Sequence, residues 1–315
     1  MAVGTSGSSR TSRQIEAAVR RAAASRQLTL AISGGRDSMA LLHAVARTAH
    51  ASVATVATYD HATGTAAEDA AELVASQASA LGLPVVIGRA SEPGASEAAW
   101  RNARRAFLAD VAARTQSVVA TAHTRDDQVE TIFMRVLRDA GARGLAGLYA
   151  STAVVRPFLT FTRSEVGSYA RTVGATWVED PTNSSMRFFR NRVRRDLLPA
   201  IARVKPDFDA ELISLAQAAG NWRVRVDEVV TPLTRVSPSK ASVSVTVDSL
   251  SPYSREELAS LWPAIAARVG LAMDWRGTER AAAFTNSSRT GARIQLSGGW
   301  EISRSREAFE LHRWR

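Results

Sequence analysis

The chain has 315 residues, 45% of them hydrophobic and 22% charged, a balance that excludes a disordered or fibrous protein and fits one large or two modest globular domains. Lys+Arg is 40 against Asp+Glu 30, a formal net charge of +10 that favours a polyanionic partner, and nearly all of the positive charge is arginine. The absence of cysteine excludes disulfides, zinc–thiolate sites, iron–sulfur clusters, a cysteine nucleophile and a persulfide carrier within this chain.

Residues 1–12 are polar and rich in Gly, Ser and Thr, with no apolar core of a signal peptide. They read as a frayed tail. No apolar run reaches the roughly 18–20 residues of a membrane span, so a cytoplasmic protein without a membrane partner is the default.

From residue 27 short apolar runs alternate with Ala-rich helical stretches. Strands are expected at 28–32, 52–58, 84–87 and 117–121, and helices at 37–48, 66–81, 96–114 and 125–137. Continuous apolar strands between helices indicate βαβ units, hence an α/β fold with a parallel sheet covered on both faces. A helix is expected at 162–173, and the character changes after Asp180. Lys205-Pro206 looks like a linker, 207–230 reads as a long helix, 254–269 as a helix bent at Pro263, and 241–247, 292–296, 300–303 and 308–312 as strands. The expected organisation is a tail and helix start over 1–25, a catalytic domain over 26–205, and a helical linker with a small α+β domain over 206–315. Trp222, Trp262, Trp275 and Trp300 are expected in the core of that second domain.

The string Ile32-Ser-Gly-Gly-Arg-Asp-Ser38 lies between the first strand and the first helix. A helix N-terminus offers unpaired N–H groups and the positive end of a dipole. Gly34 and Gly35 let an anion approach the backbone, and Ser33 and Ser38 add hydroxyl donors. Asp37 would repel a phosphate unless a cation bridged them, which suggests Mg2+. A plain capped glycine turn is the structural alternative. The string lacks the lysine of a Walker A loop and the spacing of a dinucleotide fingerprint.

The second string, Ala122-His-Thr-Arg-Asp-Asp-Gln-Val-Glu-Thr131, follows the fourth strand and sets Asp126 and Asp127 at the carboxyl edge of the sheet. One of the two acids is expected only to stabilise its helix dipole, and the other to complete a Mg2+ site with Asp37. His123 either orients these acids or contacts nucleotide. The third string, Arg187-Phe-Phe-Arg-Asn-Arg-Val-Arg-Arg195, packs Arg187, Arg190, Arg192, Arg194 and Arg195 around Asn191. Guanidinium forks suit phosphates and stack on exposed bases. The alternative is a solvated basic face over buried Phe188, Phe189 and Val193. Arg101, Arg104 and Arg105 also read mainly as a solvated face.

The first string resembles the Ser-Gly-Gly-x-Asp-Ser signature of the PP-loop (N-type) ATP pyrophosphatases. The second is similar to the His-x-x-Asp-Asp-Gln-x-Glu-Thr motif of the tRNA-modifying branches. Together with Arg156-Pro-Phe, Trp177-Val-Glu-Asp-Pro-Thr-Asn183 and Arg190-Asn-Arg-Val-Arg194, they resemble the tRNA(Ile)-lysidine synthetase family over about residues 28–198. In Tyr59-Asp-His61, Tyr replaces the usual Val, and Ala62 the usual Gly.

The resemblance implies that ATP adenylates the C2 carbonyl oxygen of the wobble cytidine in the minor isoleucine tRNA with anticodon CAU, releasing pyrophosphate. L-lysine then displaces AMP and forms lysidine. It implies ATP contacts at Ile32, Ser33, Gly34, Gly35, Arg36, Asp37, Ser38 and His123, catalytic roles for Asp37, Asp127 and Arg192, and Mg2+ on Asp37 and Asp127. Lysine or tRNA contacts are implied at Asp126, Glu130, Asp180, Asn183, Arg187, Arg190, Asn191, Arg194 and Arg195, with Asp127 or Glu130 accepting a proton from the amine. The 206–315 domain is expected to contact the tRNA as well. Another PP-loop ligase and a non-catalytic nucleotide-dependent RNA-binding protein are the competing expectations. The oligomeric state, monomer or homodimer, is left open.

Overall fold

The computed structural model describes residues 4–91, 97–150, 154–179 and 185–314. The chain divides into two compact units, residues 1–134 with 152–213, and residues 135–151 with 214–315.

The first unit is built on five parallel strands, β1 (Leu28–Ala31), β2 (Val53–Asp60), β3 (Val85–Arg89), β4 (Val118–Ala120) and β5 (Val154–Val155), in the order β3-β2-β1-β4-β5. Leu28 and Leu30 are fully buried, as apolar strands covered on both faces must be. Helices α1 (Gly4–Ala23), α2 (Arg36–Thr48), α3 (Thr65–Ala80) and α7 (Arg163–Thr172) bury Ile15, Val19, Leu41, Val74 and Val166 in one core with β1. Helix α4 (Glu97–Arg114) buries Leu108 and Val111 in a separate cluster with Ala57 and Val119. Helix α5 (Arg125–Val136) begins at the end of β4.

The N-terminal reading is corrected. Residues expected to fray form α1, because Ile15, Ala18, Val19 and Ala23 dock in the core and a helix anchored at one end propagates at little cost.

The strand order reverses between β1 and β4, so the loops leaving these two strands flank one crevice at the carboxyl edge of the sheet. In open α/β sheets this is where ligands bind. The Ser33–Ser38 string follows β1, and the His123–Thr131 string follows β4.

Within the second unit, the short helix α6 (Ala142–Leu145) precedes β5 in the chain. The arginine-rich string of the first unit forms α8 (Phe189–Arg192), which continues through a π-helical turn at Val193–Leu197 into α9 (Leu198–Val204). The long helix α10 (Phe208–Leu233) follows after three residues.

An antiparallel sheet in the order β6-β7-β10-β9-β8 completes the second unit. Its strands are β6 (Thr234–Ser237), β7 (Ser242–Thr246), β8 (Arg293–Leu296), β9 (Trp300–Arg304) and β10 (Ala308–Arg313). Helices α11 (Val247–Leu250), α12 (Arg255–Ala267) and α13 (Trp275–Ser287) accompany it, with Trp262 buried at the centre and its indole N–H donating to Thr285. Trp222 and Trp300 pack in this core, but Trp275 is 74% exposed, contrary to expectation. It occupies the first position of α13, whose buried side is made by Gly277, Ala281, Ala282 and Phe284. Among the described residues no helix is long and apolar enough to cross a membrane.

Candidate active site

Ile32 leaves β1 with its N–H bonded to the Ala57 carbonyl, so the chain enters the following loop from a fixed direction. The Ser33 N–H and hydroxyl both reach the Ser38 hydroxyl at 3.2 Å, and Ser38 donates to the Gly35 carbonyl at 2.7 Å. Gly35 is the N-cap of α2, extended and without a side chain that bonds the first-turn N–H groups. These donors are the anion-binding feature of a helix start. Gly34 has φ +78°, and a Cβ there would come within 2.9 Å of the Ala70 Cβ and 3.0 Å of its carbonyl. Only glycine allows α3 to close on the loop in this way. From the other side, the Val178 N–H donates to the Gly34 carbonyl.

Four carboxylates and four guanidiniums meet beside this loop. Asp37 pairs with Arg36 at 3.1 Å and with Arg163 at 3.7 Å. Arg163 Nη2 also reaches Asp127 at 3.0 Å and Glu130 at 3.1 Å. Arg190 bonds Glu130 at 2.7 Å and Asp127 at 3.2 Å, and Arg194 closes on both Glu130 oxygens at 2.6 and 3.1 Å. Gly167 is what lets Arg36 lie along α7, since a Cβ there would sit 3.0 Å from the guanidinium carbon. The Glu130 side chain is only 2% exposed, a burial tolerable for a carboxylate because three arginines surround it.

The two adjacent acids divide their work in an unexpected way. Asp127 accepts the Thr124 N–H and hydroxyl at 2.8 and 2.9 Å, capping its own helix while also holding arginines. Asp126 caps a different helix: it accepts the backbone N–H of Arg163, the first residue of α7, at 2.7 Å. Both acids therefore have structural duties, and only Asp127 also holds Arg190.

The titration behaviour follows from these contacts. Burial raises the Asp37 pKa, and Arg36 and Arg163 only partly oppose it. Burial also pushes Asp127 and Glu130 upward, but their arginines outweigh it and hold both below the ordinary carboxylate range. His123 donates or accepts a 2.8 Å hydrogen bond between Nδ1 and the Thr121 hydroxyl. Its burial, opposed by Asp127 but reinforced by Arg156, Arg190 and Arg104, lowers its pKa to about 4, so the imidazole is neutral at physiological pH.

Residues 8–201 match the PP-loop domain family. The chain belongs to the PP-loop family. It is 38% identical over 207 residues to a tRNA(Ile)-lysidine synthase of Pseudomonas fluorescens (strain Pf0-1), covering 62% of this chain and 45% of that protein. It is 39% identical over 209 residues to the one of Ruegeria pomeroyi, covering 62% and 48%. To that of Dehalococcoides mccartyi it is 33% identical over 263 residues, covering 76% and 54%. The chain thus spans about half the length of the curated relatives it matches. Among solved structures, the U34-tRNA thiolase NcsA from Methanococcus maripaludis with its [4Fe-4S] cluster aligns with TM-score 0.56 at 12% identity, over 68% of this chain and 80% of that one, a likeness of fold.

Of the residues expected in the site, Ile32, Ser33, Gly34, Gly35 and Ser38 form the loop and the start of α2, Arg36 and Asp37 connect through Arg163 to Asp126, Asp127 and Glu130, Arg190 and Arg194 hold Glu130, and His123 lies near Asp127. Arg192 is exposed, with its guanidinium 5.5 Å from the Phe189 ring centroid, and Arg187 and Arg195 are also exposed. Asn191 is buried and donates to the Ser185 carbonyl at 2.8 Å. Val193 is fully buried, whereas Phe188 and Phe189 are half-buried. Asp180 and Asn183 lie outside the described residues.

One contributor escaped sequence reasoning. Arg163 bridges the PP-loop aspartate to the α5 acids; its only local signal is the capping box Thr162–Glu165 that starts its helix. Arg101, Arg104 and Arg105 are all exposed, as the solvated-face reading expects.

Mg2+ takes hard oxygen donors, commonly one or two carboxylates, and fills its shell with phosphate oxygens and water. Asp37 and Asp127, both within reach of the single guanidinium of Arg163, supply that donor type and fit it. Among the described residues no group of three or more His, Asp or Glu could hold a metal by itself.

Proposed function

We propose that this protein uses ATP to activate a tRNA wobble cytidine and joins L-lysine to it. The substrate is the minor isoleucine tRNA with a CAU anticodon, and the products are lysidine, AMP and pyrophosphate. The observation that carries the reading is the convergence at the β1/β4 switch point of a glycine loop over an open helix N-terminus with an arginine-bridged acidic cluster. The names of the relatives support the choice of lysine and tRNA.

In this reading the α2 N-terminus and the Ser33 and Ser38 hydroxyls hold the β- and γ-phosphates. Asp127 and Glu130 fix Arg163 and Arg190 in place, so positive charge is positioned before the leaving pyrophosphate develops its own negative charge. Mg2+, held by Asp37 and Asp127, would supply Lewis-acid stabilisation of that charge. Neutral His123 offers a hydrogen bond to nucleotide without adding charge. The cytidine must leave the anticodon stack to reach the crevice, and exposed Arg192 on its Phe189 support suits that unstacked loop. The depressed pKa values of Asp127 and Glu130 make them weak bases, which argues against either as the acceptor of the amine proton. Their part is to hold cations.

The test is incubation of the protein with ATP and radiolabelled lysine, with and without an anticodon-loop RNA, scoring pyrophosphate and labelled RNA. Both are expected only when RNA is present. Turnover without RNA would identify a ligase for a small metabolite, and ATP binding without pyrophosphate release would identify a non-catalytic RNA-binding protein. Asp37→Asn is expected to abolish pyrophosphate release while RNA binding stays within about twofold of wild type, because the substitution leaves the arginine-rich α8 segment unaltered.

A further inference from the structure

The second unit holds an open pocket of about 370 Å3 that the catalytic reading does not use. It is lined by Arg143 of α6, by Arg223, Asp227, Glu228 and Thr231 of α10, and by Arg268 at the end of α12. Asp227 pairs with Arg143 at 3.0 Å and with Arg223 at 3.8 Å. Arg268 donates instead to the Asp227 backbone carbonyl at 3.1 Å and to the Thr231 hydroxyl at 2.5 Å. One buried nitrogen of each guanidinium makes no hydrogen bond: Nη1 of Arg143, Nε of Arg223, which stands 3.8 Å from Asp227, and Nε of Arg268.

A purely structural reading makes Asp227 a latch that ties α6 to α10. It accounts for the Arg143 pair, the longer Arg223 approach and the Arg268 bond to the Asp227 carbonyl, but leaves one nitrogen of each arginine without a hydrogen bond. A buried charged donor that makes no hydrogen bond is costly, and here three occur around one opening. Burial lowers the Arg223 pKa most, Arg143 and Arg135 add to it, and Asp227 opposes them in part. Small rotations of the three side chains would aim their forks at a shared oxyanion. A tetrahedral anion can accept from several forks at once. The volume is roughly ten times the share of one liquid water, room for a phosphate with its attached sugar.

We propose that this pocket binds a phosphoryl group, held jointly by Arg143, Arg223 and Arg268. Free phosphate and the phosphodiester of an RNA strand share that chemistry. The proposal does not rest on the lysidine reading, because every residue in it lies in the second unit.

The test uses the full chain and the Nε–Hε NMR resonances of Arg223 and Arg268, which report this pocket and not the PP-loop. Inorganic phosphate is titrated in one arm and a short single-stranded RNA in the other. Saturable movement of both resonances with phosphate supports a site for the free anion; movement with RNA alone supports a backbone phosphodiester. Arg223→Gln keeps the aliphatic stem and is expected to weaken the effective probe about tenfold, read at Arg268, with Arg223→Lys recovering part of it. If neither probe moves the resonances of the wild-type chain at millimolar concentration, the proposal is overturned. It is equally overturned if Arg223→Gln, folded by circular dichroism, binds as tightly as wild type.

Discussion

His123 is where a single residue carries a measurable signature of the site. In the unfolded chain its imidazole takes up a proton near pH 6.5, but in the folded protein only at about 4. Between those values the unfolded state binds more protons, so stability rises with pH, by up to one proton's worth or about 1.4 kcal/mol per pH unit. Asp127 and Glu130 act lower: their depressed values give stability that is complete above the unfolded carboxylate range and lost as pH falls through the folded values. His43 and His61 shift in the same direction as His123, so wild type must be compared with a variant. His123→Asn, which can still meet Thr121, is expected to flatten the slope of denaturation free energy between pH 4.5 and 6.5 by close to one proton. An unaltered slope would place that histidine in water.

At the scale of elements, the turn from α8 through the π-helical segment into α9 divides one run of arginines into two kinds. Arg190 and Arg194 face Glu130, whereas Arg192 and Arg195 point outward. Removing charge from the two kinds should therefore have different effects. Arg192→Gln is expected to weaken binding of an anticodon stem-loop and to reduce the slope of log affinity against log salt by about one, with the melting temperature little changed. Arg194→Gln takes two hydrogen bonds from a buried carboxylate and is expected to cost on the order of 1–3 kcal/mol of stability. Filter binding at graded KCl together with thermal melts checks both, and equal salt slopes for the two variants would count against the division.

The same elements indicate what could be read from sequence. The runs at Leu28, Val53, Val85 and Val118 announced their strands by their apolar character, which double covering explains at Leu28 and Leu30 but not at the edge strand β3, where Val86 and Ile87 are exposed. Helix α13 writes no clear apolar stripe because three of its four buried residues, Gly277, Ala281 and Ala282, are small and only Phe284 is bulky; its N-cap Asp274 is the other signal. In the site, the glycine loop and the acids of α5 were legible as strings. The ion pairs of Arg163 were not, because they join positions 33 to 126 residues apart that only the β1/β4 crevice brings together.

For the whole molecule, compactness does not follow the order of the chain. Lys205-Pro206 looks like a boundary, but it is a three-residue step between α9 and α10, and the first unit continues to Ile213. The second unit also includes residues 135–151, which precede most of it by some sixty residues. Within that unit Ala146 and Ala150 pack on Ala219, Gly220 leaves room for Tyr149 at 3.3 Å from where a Cβ would stand, and Arg143 pairs with Asp227. A protein ended after residue 213 loses every one of these partners while keeping β1, α2 and α7. Its amides at 142–150 are expected to exchange about as fast as an unstructured chain, while those of β1 and α2 stay protected. Hydrogen exchange read by mass spectrometry on the two lengths of chain measures this directly. Protection of 142–150 that survives the cut would mean that the first unit alone holds the segment, and the second unit would then begin on α10.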